Sequence, residues 1–210
     1  PAETPFTLDD LVDDAVVVLD HLGIERAVWA GLSIGGMIAL RAALTAPDRV
    51  DALIVADSSA ERDPLLQRAK HRLLGTVARL VGLRPVLGPI TRIMFGASTR
   101  RDNPSLVAEW RERFASVHLP SILLGLDCLN GRTAVLDRLD TVRRPTLVLV
   151  GQEDVAQPPR RSRAIAAAIP GADLVTVPKA GHLSALEQPE TVTEAMLDFL
   201  YRAVPPGGAP

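Results

Sequence analysis

A chain of 210 residues is long enough to form one domain with a sizeable core. Hydrophobic residues make up 47% of it and charged residues 23%, which argues against a disordered chain. The formal net charge of −2 gives no basic field for nucleic acid, and no apolar run reaches the roughly 18 residues of a membrane span. A single cysteine, Cys128, excludes an intrachain disulfide and a multi-cysteine metal site. We therefore expect neither nucleic acid nor a membrane as a partner. The opening residues lack a signal-peptide pattern, so we expect a cytoplasmic location.

Helical and strand patterns alternate along the chain, which is typical of a parallel α/β sheet. Thr7 and Asp10 form a capping pair that predicts the start of a helix, and Gly23 ends it. Residues 27–30 predict a buried strand, and a second helix follows Ser33. The later patterns predict strands at 52–56, 146–150 and 174–177, and helices at 160–169 and 189–201.

Residues 57–145 carry no strong strand signal, and apolar residues at helical spacing predict short helices there. Glycines and prolines, among them Gly75 and Gly82, predict the breaks between these helices. An insertion of this length between strands is too long for a simple crossover and is typical of a functional cap. The predicted organisation is a core of residues 1–60 and 141–203, a helical cap over 61–140, and a disordered tail over 204–210.

The predicted cap carries an excess of positive charge. It contains 13 Lys and Arg residues against 8 Asp and Glu residues, a net charge of +5, while the rest of the chain has −7. A basic lid over an acidic body would attract anionic substrates. The same arginines could simply solvate exposed helix faces, and the sequence leaves both interpretations open.

The sequence Gly31-Leu32-Ser33-Ile34-Gly35 has the G-x-S-x-G pattern of a nucleophile elbow. It follows a predicted strand and opens a predicted helix, which is the context that projects a serine hydroxyl toward a substrate. We expect positions 31 and 35 to require Gly31 and Gly35, because neighbouring chains approach closely at such a turn and leave no room for a side chain. The alternative is an ordinary glycine-rich turn with a capping serine at Ser33.

Serine attacks a carbonyl only with the help of a base, and the base needs an orienting acid. Among the four histidines, His182 follows the last predicted strand and therefore lies at the same sheet edge as Ser33. It also obeys the order nucleophile, acid, histidine that accompanies a G-x-S-x-G elbow. His182 is the predicted base, with a surface loop histidine as the alternative.

The predicted acid is Asp154, which directly follows the strand at 146–150. Asp57 competes with it, because Asp57 ends the strand before the cap. Glu153 is a weaker competitor in the same loop as Asp154. A turn or helix-capping role for Asp154 is the alternative without chemistry.

These motifs together resemble the α/β-hydrolase superfamily, in its branch of esterases, enol-lactonases and haloperoxidase-like proteins. The segment that opens the first helix is most similar to 3-oxoadipate enol-lactonases. The matching stretches span almost the whole chain: Leu22-Gly23-Ile24, Gly31 to Gly36, Pro47-Asp48-Arg49-Val50, Gly151-Gln152-Glu153-Asp154, and Gly181-His182 with Glu187 and Pro189. The resemblance implies a mostly parallel sheet with helices on both faces and a helical cap.

The resemblance also implies a serine hydrolase for a small-molecule ester or lactone, working through an acyl-enzyme without metal or organic cofactor. The backbone N–H of Ile34 would support the oxyanion. Family members carry earlier strands and a His-Gly loop that supplies a second oxyanion donor. Here the first predicted element is the helix before the elbow strand. We therefore expect that the N-terminal part of the fold is absent and that the elbow strand forms an exposed edge.

Two other interpretations remain open at this stage. The same triad serves perhydrolysis, C–C bond hydrolysis and acyl transfer. A non-catalytic or truncated homologue would act as a binding protein. The oligomeric state cannot be read from the sequence.

Overall fold

Four parallel strands form one sheet in residues 2–203, the part of the chain that the computed structural model describes. The strands lie side by side in the order β1-β2-β3-β4. Their bounds are Ala27–Leu32 for β1, Val50–Ala56 for β2, Thr146–Gly151 for β3 and Asp173–Val177 for β4. The predicted parallel sheet is confirmed, and within the described residues β1 is an outer strand, as expected for the elbow strand.

Ten α-helices accompany the sheet in the described residues, joined by three short 3₁₀ turns. Every helix predicted for the core is present, with ends that differ by a few residues. The helices are α1 Leu8–His21, α2 Ile34–Thr45, α3 Leu65–Val81, α4 Leu87–Met94, α5 Ala97–Asp102, α6 Pro104–Ala115, α7 Leu119–Gly131, α8 Pro159–Ala168, α9 Ser184–Glu187 and α10 Pro189–Ala203.

The capping pair at the start of α1 is confirmed. The Thr7 hydroxyl accepts a hydrogen bond from the Asp10 N–H, and the Asp10 carboxylate accepts one from the Thr7 N–H. This reciprocal arrangement satisfies two donors that a helix start otherwise leaves without partners.

Helices cover both faces of the sheet, because alternate residues of a strand point to opposite sides. Val55 of β2 belongs to a buried cluster with Leu40 of α2 and Ile165 of α8. The adjacent Ile54 belongs to a second cluster with Phe199 of α10. A parallel sheet with both faces buried explains the continuous apolar strands of the sequence.

Helices α3 to α7 all lie in the segment between β2 and β3. One predicted break within this segment is wrong, because α3 continues through Gly75. Gly75 is buried, and a Cβ there would come within 3.1 Å of the Leu126 side chain on α7. The glycine thus permits close packing of two helices rather than ending one. The division of the chain into core and cap at residues 60 and 140 stays a prediction.

A buried ion-pair cluster ties this helical segment to the sheet domain. The Asp63 carboxylate, in the loop after β2, accepts from Arg132 at 2.9 Å and from Arg161 of α8 at 2.7 Å. Both arginines are nearly inaccessible to solvent. Removing one member of such a cluster would leave a buried charge without its partner, which is costly.

Among the helices of residues 2–203, none is long and apolar enough to cross a membrane. Residues 204–210, for which disorder is predicted, lie outside the described residues.

Candidate active site

The four parallel strands bring four polar residues to one edge of the sheet. Ser33 follows β1, Asp57 follows β2, Asp154 lies in the loop after β3, and His182 lies in the loop after β4. Because the strands run parallel, their carboxyl ends meet at this edge, where α/β folds place their ligands. The residues predicted from separate parts of the sequence are therefore brought together.

Ser33 occupies a strained turn between β1 and α2. Its φ of 56° and ψ of −114° lie in a region that residues with side chains rarely adopt. The Ser33 N–H donates to the Ala56 carbonyl at 2.8 Å, and the Ser58 hydroxyl donates to the Ser33 carbonyl at 2.7 Å. Strand β2 and the loop that follows it thus hold the strained conformation from both sides.

The crowding predicted at the two elbow glycines occurs at only one of them. A Cβ at Gly31 would overlap the backbone of Gly35, so this position requires glycine. The prediction for Gly35 is wrong, because a Cβ there would meet nothing within 4 Å. The second close approach lies one residue later, where a Cβ at Gly36 would come within 2.7 Å of the Ser58 Cβ. The helix start therefore packs against Ser58 through Gly36.

Ser33, His182 and Asp154 form a continuous chain of hydrogen bonds. The Ser33 Oγ lies 2.9 Å from the His182 Nε2, and the His182 Nδ1 lies 2.9 Å from the Asp154 Oδ2. His182 and Asp154 are each 3% exposed, so solvent screens this pair little. With its Nδ1–H donated to Asp154, the imidazole presents the free electron pair of Nε2 to the serine hydroxyl.

The loop after β3 holds the Asp154 carboxylate in place. Its Oδ1 accepts the backbone N–H groups of Ala156 and Gln157, each at 2.8 Å, which leaves Oδ2 for His182. The competing acid Glu153 faces elsewhere, because it accepts from the Ser98 N–H and hydroxyl. These bonds also lower the pKa of the Glu153 carboxyl. Of the two acids in this loop, Asp154 alone contacts the histidine in the described structure.

Asp57, the other competing acid, links the loops that carry Asp154 and His182. Its Oδ1 accepts the Gly151 N–H at 2.8 Å, and its Oδ2 accepts both the N–H and the hydroxyl of Ser184. Complete burial is the main reason that the pKa of the Asp57 carboxyl is raised to about 6. The Asp154 charge also raises this pKa, and the hydrogen bonds from Ser184 and Gly151 oppose the rise. Asp57 thus holds the loops of Asp154 and His182 together.

Glu187 is a site residue whose place the sequence reasoning did not assign. Its buried carboxylate accepts the N–H groups of Gly181 and Leu183 on either side of His182, at 2.8 and 3.2 Å. It also accepts the Gly96 N–H, which lies between α4 and α5. The sequence signal for Glu187 is its place in the stretch with Gly181-His182 and Pro189 that resembles the family. Glu187 orders the histidine loop and joins it to the helical segment.

The helical segment contacts the histidine loop directly through its backbone. The Met94 carbonyl accepts the N–H groups of His182 and Leu183 at 3.0 and 3.2 Å. A Cβ at Gly181 would overlap the backbone at Gly96, which explains the glycine before the histidine. A shift of this segment would therefore move the His182 ring.

An oxyanion donor is available next to Ser33. Ile34 is the first residue of α2, so its N–H has no acceptor within the helix. The positive end of the helix dipole adds to this donor. In residues 2–203, no group of three or more His, Cys, Asp or Glu side chains is placed to hold a metal ion.

The other histidines lie apart from this chain of hydrogen bonds. His71 of α3 lies near Gln67 and Asn130, and His118 lies near Ser121 at the start of α7. His21 is exposed at the end of α1. His182 is the histidine that the fold places beside Ser33.

Comparison with known proteins places this geometry in a family. A family model described as the alpha/beta hydrolase fold matches residues 1–189. The chain is 30% identical over 207 residues to a protein of Caulobacter segnis named "Putative carbamate hydrolase RutD", covering 95% of the chain and 74% of that protein.

Two solved structures are also similar. A malate-bound thermophilic esterase from Thermogutta terrifontis has a TM-score of 0.89 at 30% identity, covering 96% of this chain and 75% of that one. The enol-lactonase from Burkholderia xenovorans LB400 has a TM-score of 0.86 at 25% identity, covering 95% and 75%. The resemblance that the motifs implied is thus confirmed.

Proposed function

Because the chain belongs to the alpha/beta hydrolase family, we propose that it is a serine hydrolase that cleaves a carboxylic ester or lactone. The observation that carries this proposal is the aligned chain Ser33 Oγ–His182 Nε2 and His182 Nδ1–Asp154 Oδ2, with 2.9 Å at both steps. Such a chain turns a weakly nucleophilic hydroxyl into an attacking group.

In the proposed reaction, the Ser33 Oγ attacks the substrate carbonyl carbon while its proton passes to the His182 Nε2. Asp154 stabilises the imidazolium that forms and keeps its Nδ1–H oriented. The Ile34 N–H donates to the oxyanion of the tetrahedral intermediate. The imidazolium then gives its proton to the leaving oxygen, and an acyl-Ser33 ester remains.

Water completes the cycle by the reverse sequence of proton transfers. His182 takes a proton from a water molecule, whose oxygen attacks the acyl carbon. The second tetrahedral intermediate collapses, the carboxylic acid leaves, and Ser33 regains its proton from His182. No step requires a metal or an organic cofactor.

The substrate we propose is a small ester or lactone that carries a negative charge. The net charge of +5 over residues 61–140 favours an anion, and the similarity to an enol-lactonase and to a malate-bound esterase supports this class. The name of the Caulobacter segnis relative makes a carbamate the comparison substrate of choice.

The test is hydrolysis of a panel containing an aryl ester, a carboxylate-bearing lactone and a carbamate, each with wild-type protein and the Ser33→Ala variant. The proposal predicts turnover of an ester or lactone by the wild-type protein. It also predicts a loss of about 10⁴-fold or more in kcat for the variant. Equal rates for the two proteins would rule out the serine mechanism. Turnover of the carbamate alone would replace the proposed ester or lactone by a carbamate as the substrate.

A further inference from the structure

Helix α3 buries two small residues and exposes three of its leucines. Gly75 and Ala78 are buried on the side that packs toward α7. In contrast, Leu66, Leu73 and Leu80 are 69%, 65% and 77% exposed. A helix on a globular protein normally turns its large apolar residues toward the core. The three exposed leucines of α3 indicate a contact with something outside the described fold.

The exposed leucines form one continuous stripe. Leu66, Leu73 and Leu80 follow one another at intervals of seven residues, which is nearly two helical turns, so they lie on one face. Leu65, 79% exposed, and Val81 extend the apolar surface at the two ends of the helix. The stripe therefore runs along the full length of α3.

Positive charges flank the stripe on both sides. At 100° per residue, Lys70 lies on one border of the leucine face, and Arg72 and Arg79 lie on the other. None of the 17 residues of α3 is Asp or Glu. Within the described residues, these three cations have no carboxylate within ion-pair distance, although Asp127 of α7 lines a groove with both arginines.

We propose that α3 is a docking surface for an anionic phospholipid membrane. An interfacial helix of this kind lies in the membrane plane, with its apolar face among the acyl chains and its cations at the headgroups. The stems of Lys70, Arg72 and Arg79 can extend along the leucines while their charged ends reach lipid phosphates. Such a helix needs no membrane-spanning run, whose absence was the basis for expecting no membrane partner.

The charges favour a lipid surface over a second copy of the chain. Pairing two α3 helices through their leucine faces would bring the flanking cations of both copies together without any carboxylate from either helix. Like charges at a contact oppose association, whereas an anionic surface neutralises them. The inference does not depend on the serine hydrolase proposal, since Ser33, His182 and Asp154 take no part in it.

The test is co-sedimentation of the full chain with vesicles of phosphatidylcholine alone and of phosphatidylcholine mixed with phosphatidylglycerol. The wild-type protein is expected to bind the mixed vesicles preferentially, and less so as salt rises. A variant with Leu66→Gln, Leu73→Gln and Leu80→Gln should bind roughly tenfold or more weakly. A variant with Lys70→Gln, Arg72→Gln and Arg79→Gln should also bind roughly tenfold or more weakly.

Two control variants distinguish binding through α3 from nonspecific adsorption of the protein to vesicles. For the leucines, the control carries Leu22→Gln, Leu174→Gln and Leu197→Gln, which are exposed apolar residues outside α3. For the cations, it carries Arg84→Gln, Arg101→Gln and Arg113→Gln, whose partners are Glu112, Asp102 and Glu109. Both controls should bind like the wild-type protein.

Three results would overturn the proposal. They are no binding to mixed vesicles, equal binding to both vesicle types, and binding that the leucine variant retains. Self-association in sedimentation equilibrium that is lost only in the leucine variant, without vesicle binding, would assign the stripe to a second copy instead. Hydrolysis of an uncharged ester by the leucine variant is expected to stay at the wild-type rate, so failure here is distinguishable from failure of the proposed function.

Discussion

Asp57 and Ser184 lie 127 residues apart in the chain, yet the Ser184 hydroxyl donates a hydrogen bond to the Asp57 Oδ2 at 2.5 Å. The Asp57 Oδ1 accepts the Gly151 N–H, so one buried carboxyl joins the loops of the acid and the histidine. This places an ionisable group, which the proposed chemistry does not use, against the loops that carry Asp154 and His182.

The buried Asp57 carboxyl makes stability depend on pH. Its pKa is raised from 3.8 to about 6 in the folded chain, so folding favours the protonated form. The protonated Asp57 carboxyl contributes its full stabilisation of the folded state below about pH 4. This stabilisation is lost as the pH rises through about 6. The stability advantage of the wild-type protein over Asp57→Asn should therefore shrink by about 2 kcal/mol between pH 4 and 7.

Urea unfolding of both proteins across this pH range measures the difference. Asp51→Asn, a change at a partly exposed carboxylate near the start of β2, is the control and should show no comparable trend. An advantage that stays constant, or grows with pH, would show that Asp57 does not titrate as the buried environment requires.

Replacing each of the two competing acids by its amide tests which one orients the histidine. Asp154→Asn is expected to lower kcat about 10⁴-fold, because the amide cannot stabilise the imidazolium or fix its tautomer. Asp57→Asn should lower kcat by no more than roughly 10²-fold, the effect of a small displacement, since Asp57 bonds to loop groups and not to His182. Steady-state kinetics on the best ester of the panel would compare them, and the reverse ranking would reassign the acid.

The elbow glycines provide a test of local geometry. Gly31→Ala places a Cβ into the Gly35 backbone and should destabilise the fold by about 3 kcal/mol or more. Gly35→Ala places it in open space and should change stability by less than about 1 kcal/mol. Thermal or urea unfolding measures both. Equal losses for the two variants would mean that the turn is not packed as described.

Much of the site followed from sequence because its residues stand directly after apolar strands. Ser33, Asp154 and His182 each follow a strand whose end must lie at the common edge of a parallel sheet. Local patterns could not reveal that Gly36, rather than Gly35, meets Ser58, because that contact depends on how α2 packs against the loop after β2.

Long-range packing also explains why the sequence did not predict several features of the helical segment and its contacts. Gly75 was expected to end a helix, but contact with α7 stabilises a continuous α3 around it. The role of Glu187 depends on Gly96, 91 residues away, and so has no local signal. The leucine stripe of α3 has helical periodicity, but periodicity alone does not state which face is buried.

The charge of the helical segment leads to a prediction about substrate preference. Several of its arginines are paired with acids, for example Arg132 with Asp63, and the net charge of +5 over residues 61–140 remains. An ester with a free carboxylate should have a higher kcat/KM than its methyl-ester analogue, and the ratio should fall as salt rises. A ratio near one, or one that salt does not change, would contradict steering by this segment.

Covalent labelling of Ser33 tests the central claim most directly. A fluorophosphonate reacts only with a serine whose hydroxyl is activated, so intact mass and peptide mapping should show one adduct, located on Ser33. Ser33→Ala should abolish labelling, while Ser105→Ala, an exposed helix serine, should leave it unchanged. Labelling that persists in Ser33→Ala, or an adduct mapped to another residue of the wild-type protein, would contradict the assignment of Ser33 as the nucleophile.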